Sequence, residues 1–354
     1  MELKINKSLI GYEKVSYISD DDSKHPKIEL DCALGTNPFG CSEQVNKALT
    51  ESEDSSIYPN YPYTETLKAL STFWSKICPL KPSNFRLYAG SVAGLDAVCR
   101  ILGSVSLGFS PQFTEFKGLA ITNSGSYETV ETAPDCKFDE SRLIEAISKR
   151  HSLVYIDNPN NPTGQVISLK QIEKVLEKAK KSGAAVLVDE AYADYIEDSE
   201  SAISLLKSHD NLIVVRSFSK GYGLAGLRVG YAACSEELQD YLRKAGLPFA
   251  VSSRSAKVAV TALADQDFLK YTRTEVAKIK SKILSKLTKL KIMETDPRTP
   301  IMALKDSGGA NLYEKLLEKG VLTEFGPEVG LDEQCVRLRV HRECDRLIEI
   351  LNSI

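Results

Sequence analysis

Three stretches of the chain are apolar almost without a break and end on a charged residue: Leu153–Asp157 (LVYID), Ala185–Asp189 (AVLVD) and 212–216 (LIVVR). Runs of this length and composition read as buried strands. Between the first two, apolar residues recur at Ile172, Val175, Leu176 and Ala179, the spacing of one helix face over roughly Leu169–Ser182. Strand, helix, strand at this interval is the βαβ unit of a parallel sheet, and strands apolar on both sides imply cover on both faces. In the last third the pattern changes. Val276, Ile279, Ile283, Leu287 and Leu290 predict a long helix over about 267–290, whose lysines (278, 280, 282, 286 and 289) read as a solvated face. A strand near 300–304, a helix near 311–319, a strand at 336–340 and a helix near 344–351 follow. The fold class is therefore α/β: a large domain (44–246) with a mostly parallel sheet sandwiched by helices, plus a smaller α+β C-terminal domain (247–354). The N-terminal segment, 1–43, is expected to pack with the smaller domain.

Composition narrows the function classes. An apolar content of 42% and a charged content of 26% are those of an ordinary globular protein. A net charge of -3 gives no electrostatic case for nucleic acid or an anionic membrane. No stretch approaches the roughly 18 apolar residues of a membrane span, and MELKINKSLI lacks the apolar core of a signal peptide. The eight cysteines are irregularly spaced, and none of the four histidines (25, 151, 209 and 341) lies at ligand spacing to one. Reduced thiols in a cytoplasmic protein, with no metal site, are expected. No internal repeat or low-complexity tract is present, and 51-ESEDSS-56 and 197-EDSESA-202 read as polar loops.

The chemistry gathers at the strand ends, where open α/β sheets bind ligands. The strands run into 157-DNPNNPTG-164, 189-DEAYADY-195 and 216-RSFSKGYG-223. Asn161, Asp189, Tyr192, Ser217, Ser219 and Lys220 thus converge on one rim. A lysine amine can bond covalently to an aldehyde. An aspartate can keep a pyridine nitrogen protonated. Asn and Tyr can hydrogen-bond a phenolate, and two serines with an arginine can hold a phosphate.

NNPTG, DEAY and SFSKGYGLAGLRVGY, in this order and at these intervals, resemble the fold-type I pyridoxal-phosphate enzymes of the class I/II aminotransferase family. Within it the chain is most similar to the branch holding histidinol-phosphate aminotransferase and threonine-phosphate decarboxylase, over roughly residues 30 to 350. The resemblance implies an aspartate aminotransferase-like fold with pyridoxal 5'-phosphate as cofactor. Lys220 matches the Schiff-base lysine and Asp189 the partner of the pyridine nitrogen. Tyr192 and Asn161 match the donors to the ring oxygen. Ser217, Ser219 and Arg228 match the phosphate cradle. In 88-YAGSVAGLDAV-98, Val92, Ala93 and Gly94 match backbone amides at a helix start that bind the phosphate, or else a plain helix start; the branch's usual Gly-Ser-Asp-Glu is missing there. Phe113 matches the aromatic stacked on the cofactor ring, with a core Phe as the other reading, and the run 95–109 before it is short for the branch. Tyr58, with Tyr61 as its rival, matches a tyrosine reaching the neighbouring subunit's cofactor, which implies a homodimer. Asn37 in 35-GTNPFG-40 matches the segment that closes over substrate, or a simple turn.

In 335-CVRLRVH-341, Arg337 matches the arginine that binds the substrate carboxylate. Arg339 lies on the same strand face and is a departure from the branch. It is either a surface or interdomain ion pair or a site for a second substrate anion. The implied reaction moves an amino group between an amino acid or phosphorylated amino compound and a 2-oxo acid such as 2-oxoglutarate. The alternatives are a decarboxylase or lyase of the threonine-phosphate kind, which the cofactor motifs do not separate from a transferase, and a non-catalytic cofactor-binding protein.

Overall fold

The computed structural model describes residues 3–16, 28–51, 54–123 and 125–354. The expected loop at 51–56 and the segment 1–43 lie partly outside these. The described strands are β1 (Leu30–Asp31), β2 (Phe85–Tyr88), β3 (Val105–Ser110), β4 (Ser126–Glu131), β5 (Leu153–Asp157), β6 (Ala185–Asp189), β7 (Leu212–Ser217), β8 (Gly230–Cys234), β9 (Lys291–Ile292), β10 (Ile301–Lys305), β11 (Val321–Leu322), β12 (Glu324–Phe325) and β13 (Cys335–Arg339). The three apolar runs are β5, β6 and β7, adjacent and parallel at the centre of a seven-stranded sheet of order β2-β8-β7-β6-β5-β3-β4. Only β8 runs against the others, pairing antiparallel with both β7 and β2. Both faces are covered. Val154 and Ile156 join the cluster of Ile172 and Val175, whereas Leu153 and Tyr155 join that of Leu95 and Phe116. Alternation along the strand sends successive side chains to opposite faces.

The helix Leu169–Ser182 has the bounds its periodicity predicts, because Ser168 and Gln171 cap its start reciprocally. Four further strands form an antiparallel sheet of order β12-β13-β10-β9, and β1 pairs parallel with β11. Leu30 and Cys32 of the N-terminal segment pack with Val276, Ile301 and Val336. Val251, Ala256 and Leu269, beyond the expected boundary at 246, pack with the seven-stranded sheet.

The long helix spans Gln266–Lys286, shorter than its apolar pattern predicts, and one lysine does not belong to a solvated face. Lys280 is 0% exposed. Its amine donates to the carbonyls of Asp296 (2.7 Å) and Ile301 (2.6 Å) and to the hydroxyls of Thr295 (2.6 Å) and Thr299 (2.9 Å). Burial pushes this amine well below the ordinary lysine range. Carbonyls only accept, however, and Thr299 spends its own hydrogen on the Gly164 and Asp296 carbonyls, so three of the four partners require N–H donors. This shell holds the ammonium form. It ties the helix to β10 and to the turn after NNPT.

Candidate active site

The carboxyl ends of β5, β6 and β7 place Asp157, Asp189 and Ser217 side by side, with Asp157 and Asp189 in register. Above them lies a cavity of about 350 Å³. Lys220, Asp189, Tyr192, Asn161, Phe113 and Arg337 line it, as do Ser217, Ser219, Arg228 and Val92. Most of the predicted constellation is thus one site. Lys220 Nζ stands 5.1 Å from the centre of the Tyr192 ring. Burial, with Arg337 second, lowers its pKa to about 8. Asp189 is buried and its carboxyl is raised to about 7, by desolvation first and then by the Asp157 charge. Among the described residues it accepts only from the Ala191 amide (3.1 Å) and the Tyr155 hydroxyl (3.2 Å).

Asp157 is a further functional residue, one to which the sequence motifs assign no role. Its carboxylate accepts from the amides of Phe113 (3.2 Å) and Asn161 (2.9 Å), and from the side chains of Gln112 and Asn160. One group therefore fixes both the Phe113 turn and the Asn161 loop. Its signal was available: it is a carboxylate at a strand end, in register with Asp189. Below the lysine, Arg216 pairs with Glu190 (2.6 Å) and Asp194 (3.0 Å), all buried, and Asp194 accepts the Gly221 amide. Removing one member of such a buried network typically costs about 3–5 kcal/mol, so the turn that carries Lys220 is firmly held.

At one end of the cavity, the Ser219 amide donates to Ser217 Oγ (3.0 Å) and the two hydroxyls are 2.7 Å apart. Arg228 adopts a left-handed backbone (φ 50) and lays its guanidinium against Gly90, at the start of helix Ser91–Leu102. Gly90 has φ 82, and a Cβ there would overlap the guanidinium. Only glycine satisfies both demands. The helix start shifts one expectation. Its unpartnered first-turn amides are those of Ser91, Val92 and Ala93, while the Gly94 amide is the first to turn back into the helix. Only Ser91 and Val92 line the cavity; Ala93 packs in an apolar cluster and Gly94 against Tyr88 and Val215. The short run 95–109 holds this helix from Leu95 to Leu102 and β3 up to Phe109, joined through 103–104.

At the other end, Arg337 donates to Asn161 Oδ1 (2.9 Å), to the Ala33 carbonyl (3.0 Å) and to Glu324 (3.0 Å). Because Asn161 accepts with its oxygen, its amide nitrogen is left for the cavity. Arg339 does not reach the cavity. It donates to the carbonyls of Asp31 and Val340, so neither an ion pair nor a substrate anion accounts for it. It fastens the N-terminal segment to β13. Asn37 likewise turns away, donating to the Gly221 carbonyl (2.7 Å), and residues 34–36 line the cavity instead. Gly35 passes so close to the Tyr192 hydroxyl that a Cβ would collide with it. Tyr58 is 77% exposed and packs on Phe249, outside the cavity of its own chain. Tyr61 receives a hydrogen bond from Arg86 (3.1 Å). Among the described residues no cluster suited to a metal ion occurs, all eight cysteines are free, and no helix is long and apolar enough to cross a membrane.

The family model for aminotransferases of class I and II matches residues 27–351. The chain belongs to this family. It is accordingly a pyridoxal-phosphate-dependent aminotransferase. A curated relative, histidinol-phosphate aminotransferase 2 of Archaeoglobus fulgidus, is 31% identical over 330 residues, covering 90% of this chain and 91% of that protein. Two solved structures share the fold. Histidinol-phosphate aminotransferase from Clostridium acetobutylicum has a TM-score of 0.82 at 19% identity and covers 92% of this chain and 98% of its own. The enzyme from Sinorhizobium meliloti in complex with pyridoxal-5'-phosphate has a TM-score of 0.77 at 24% identity and covers 92% and 91%.

The cavity of this aminotransferase fits the cofactor on its own terms. A buried carboxylate with few partners suits a ring nitrogen, and a guanidinium seated against a glycine at a helix start suits a phosphate. The lysine gives a direct test in the cofactor-free enzyme. Only the neutral amine has a lone pair, and its pKa is about 8. The rate at which the apoenzyme captures pyridoxal phosphate should therefore climb through about pH 8 and level off above it, followed by stopped-flow absorbance. A rate flat across that range contradicts the assignment of Lys220.

Proposed function

We propose that this aminotransferase moves an amino group from an amino acid or a phosphorylated amino compound of the histidinol-phosphate kind to a 2-oxo acid such as 2-oxoglutarate. The observation that carries the reading is the enclosure of Lys220 in one cavity with Asp189, Arg228 and Arg337. Bound pyridoxal phosphate supplies an electron sink for charge released at the substrate's α-carbon. The chain supplies the rest. Asp189 holds the proton on the ring nitrogen. Asn161 Nδ2 and the Tyr192 hydroxyl donate toward the ring oxygen, and Ser217, Ser219, Arg228 and the first-turn amides anchor the phosphate. Arg337 orients the substrate's anionic group. Lys220 Nζ would take the α-proton as general base and deliver it, as general acid, to the carbon that was the cofactor's aldehyde.

The activity named for the Archaeoglobus relative favours transfer over decarboxylation. An exposed aromatic patch of Tyr58, Tyr61 and Phe249 supports a homodimer, since such patches mark association surfaces. A cytoplasmic location accords with the free thiols. One incubation tests the reaction. Purified enzyme with candidate amino donors and 2-oxoglutarate should form glutamate without carbon dioxide. Carbon dioxide without glutamate sinks the transfer reading.

A further inference from the structure

Behind Arg337, at the substrate end of the cavity, stands a charge that the proposed transfer does not use. Glu324 on β12 is the register partner of Arg337 on β13, and its Oε1 accepts from Arg337 Nη2 at 3.0 Å. The pair is deeply buried, with Arg337 1% and Glu324 4% exposed. Arg337's other hydrogen-bond partners named above, the Asn161 and Ala33 oxygens, are neutral. One carboxylate thus already matches the guanidinium before any substrate arrives. Among the described residues that line the cavity, Lys220 is committed to the cofactor and no second arginine supplements Arg337 at this end. Arg339 turns to the carbonyls of Asp31 and Val340 and does not line the cavity, and Arg228 belongs to the cradle against Gly90.

We infer that Glu324 sets the charge of the group received at Arg337, admitting the carboxylate of an amino acid and rejecting a phosphate dianion. The inference rests on the aminotransferase reading and narrows its donor to the amino-acid class. A substrate carboxylate beside Arg337 places two carboxylates on one guanidinium, in a buried site where like charges repel far more than in water. A single proton shared between them removes the excess. Burial already holds the Glu324 carboxyl above its ordinary range, which makes that proton easy to take up. A phosphate monoester brings nearly two negative charges at neutral pH, and one proton does not cancel them.

Spectral titration of the holoenzyme with propionate and with methyl phosphate reads this ranking, because neither ligand carries an amino group to transfer. The wild-type enzyme should bind propionate more tightly. Glu324→Gln keeps an oxygen for Arg337 Nη2 and removes the charge. It should raise methyl phosphate affinity about ten-fold or more and propionate affinity by a several-fold smaller factor. Glu324→Asp keeps the charge and should keep the wild-type ranking. Tighter methyl phosphate binding by the wild type, or equal gains for both ligands in Glu324→Gln, overturns the inference. If Glu324→Gln does not fold, the rankings of the wild type and Glu324→Asp decide. The ranking needs no turnover, so it stands or falls apart from the transfer reading, which glutamate formation decides.

Discussion

Lys220→Met should lower turnover by about 10⁴-fold or more, the upper range for loss of a positioned general base, and abolish covalent capture of the cofactor. Two roles fall on this one amine. It must bond the cofactor's aldehyde, and it must carry the α-proton once displaced. Among the described residues no other lysine lines the cavity. Lys280, the other deeply buried lysine discussed above, has its amine enclosed by four oxygens on β10 and neighbouring turns. Borohydride treatment followed by mass measurement separates the roles: the wild-type chain should gain the cofactor's mass and the variant none. A variant that still gains it removes Lys220 from its place.

Asp189→Asn should cost turnover about 10²–10³-fold, the scale of losing one preorganised electrostatic partner in a water-poor site. The substitution keeps the shape and the neighbours Tyr155 and Ala191 but deletes the charge that would hold the ring nitrogen protonated. A second consequence has a definite sign. The Asp189 carboxylate favours the ammonium form of Lys220 and raises its pKa, whereas burial and Arg337 lower it. Without that carboxylate the amine should lose its proton at lower pH, so the midpoint of cofactor capture should fall below about 8. A midpoint that rises, or turnover near that of the wild type, contradicts the pairing.

Much of this site was legible in the chain because its parts lie where two patterns meet. Each central strand announces itself as an apolar run, and the polar residues at its end can face only one rim. Asp189, Ser217 and Lys220 follow from that alone, and the family resemblance supplied their roles. Departures arose where the deciding contact is tertiary. Lys280 sits four residues after Val276 and three before Ile283, on the apolar face of its helix, yet lysines on either side made the whole stretch read as solvated. Only the ring of oxygens from 295–301 explains a buried ammonium. Arg339 and Asn37 carry side chains suited to ligands, but nearby backbone carbonyls claim them first. Glu324 gave no signal, because a two-residue strand has no period to read, and its meaning lies wholly in the arginine across from it.

The N-terminal segment meets its partners at the opposite end of the chain. Arg337 and Arg339 donate to the carbonyls of Ala33 and Asp31, and the first of these bonds joins residues 304 positions apart. During synthesis that segment emerges long before β13, whereas the central sheet between them can form as it appears. The wall that closes the pocket must therefore wait until β13 has been made. A nascent chain stalled before β13 has the lysine and its strands but not Arg337, so the substrate wall of the pocket is completed only once β13 has emerged.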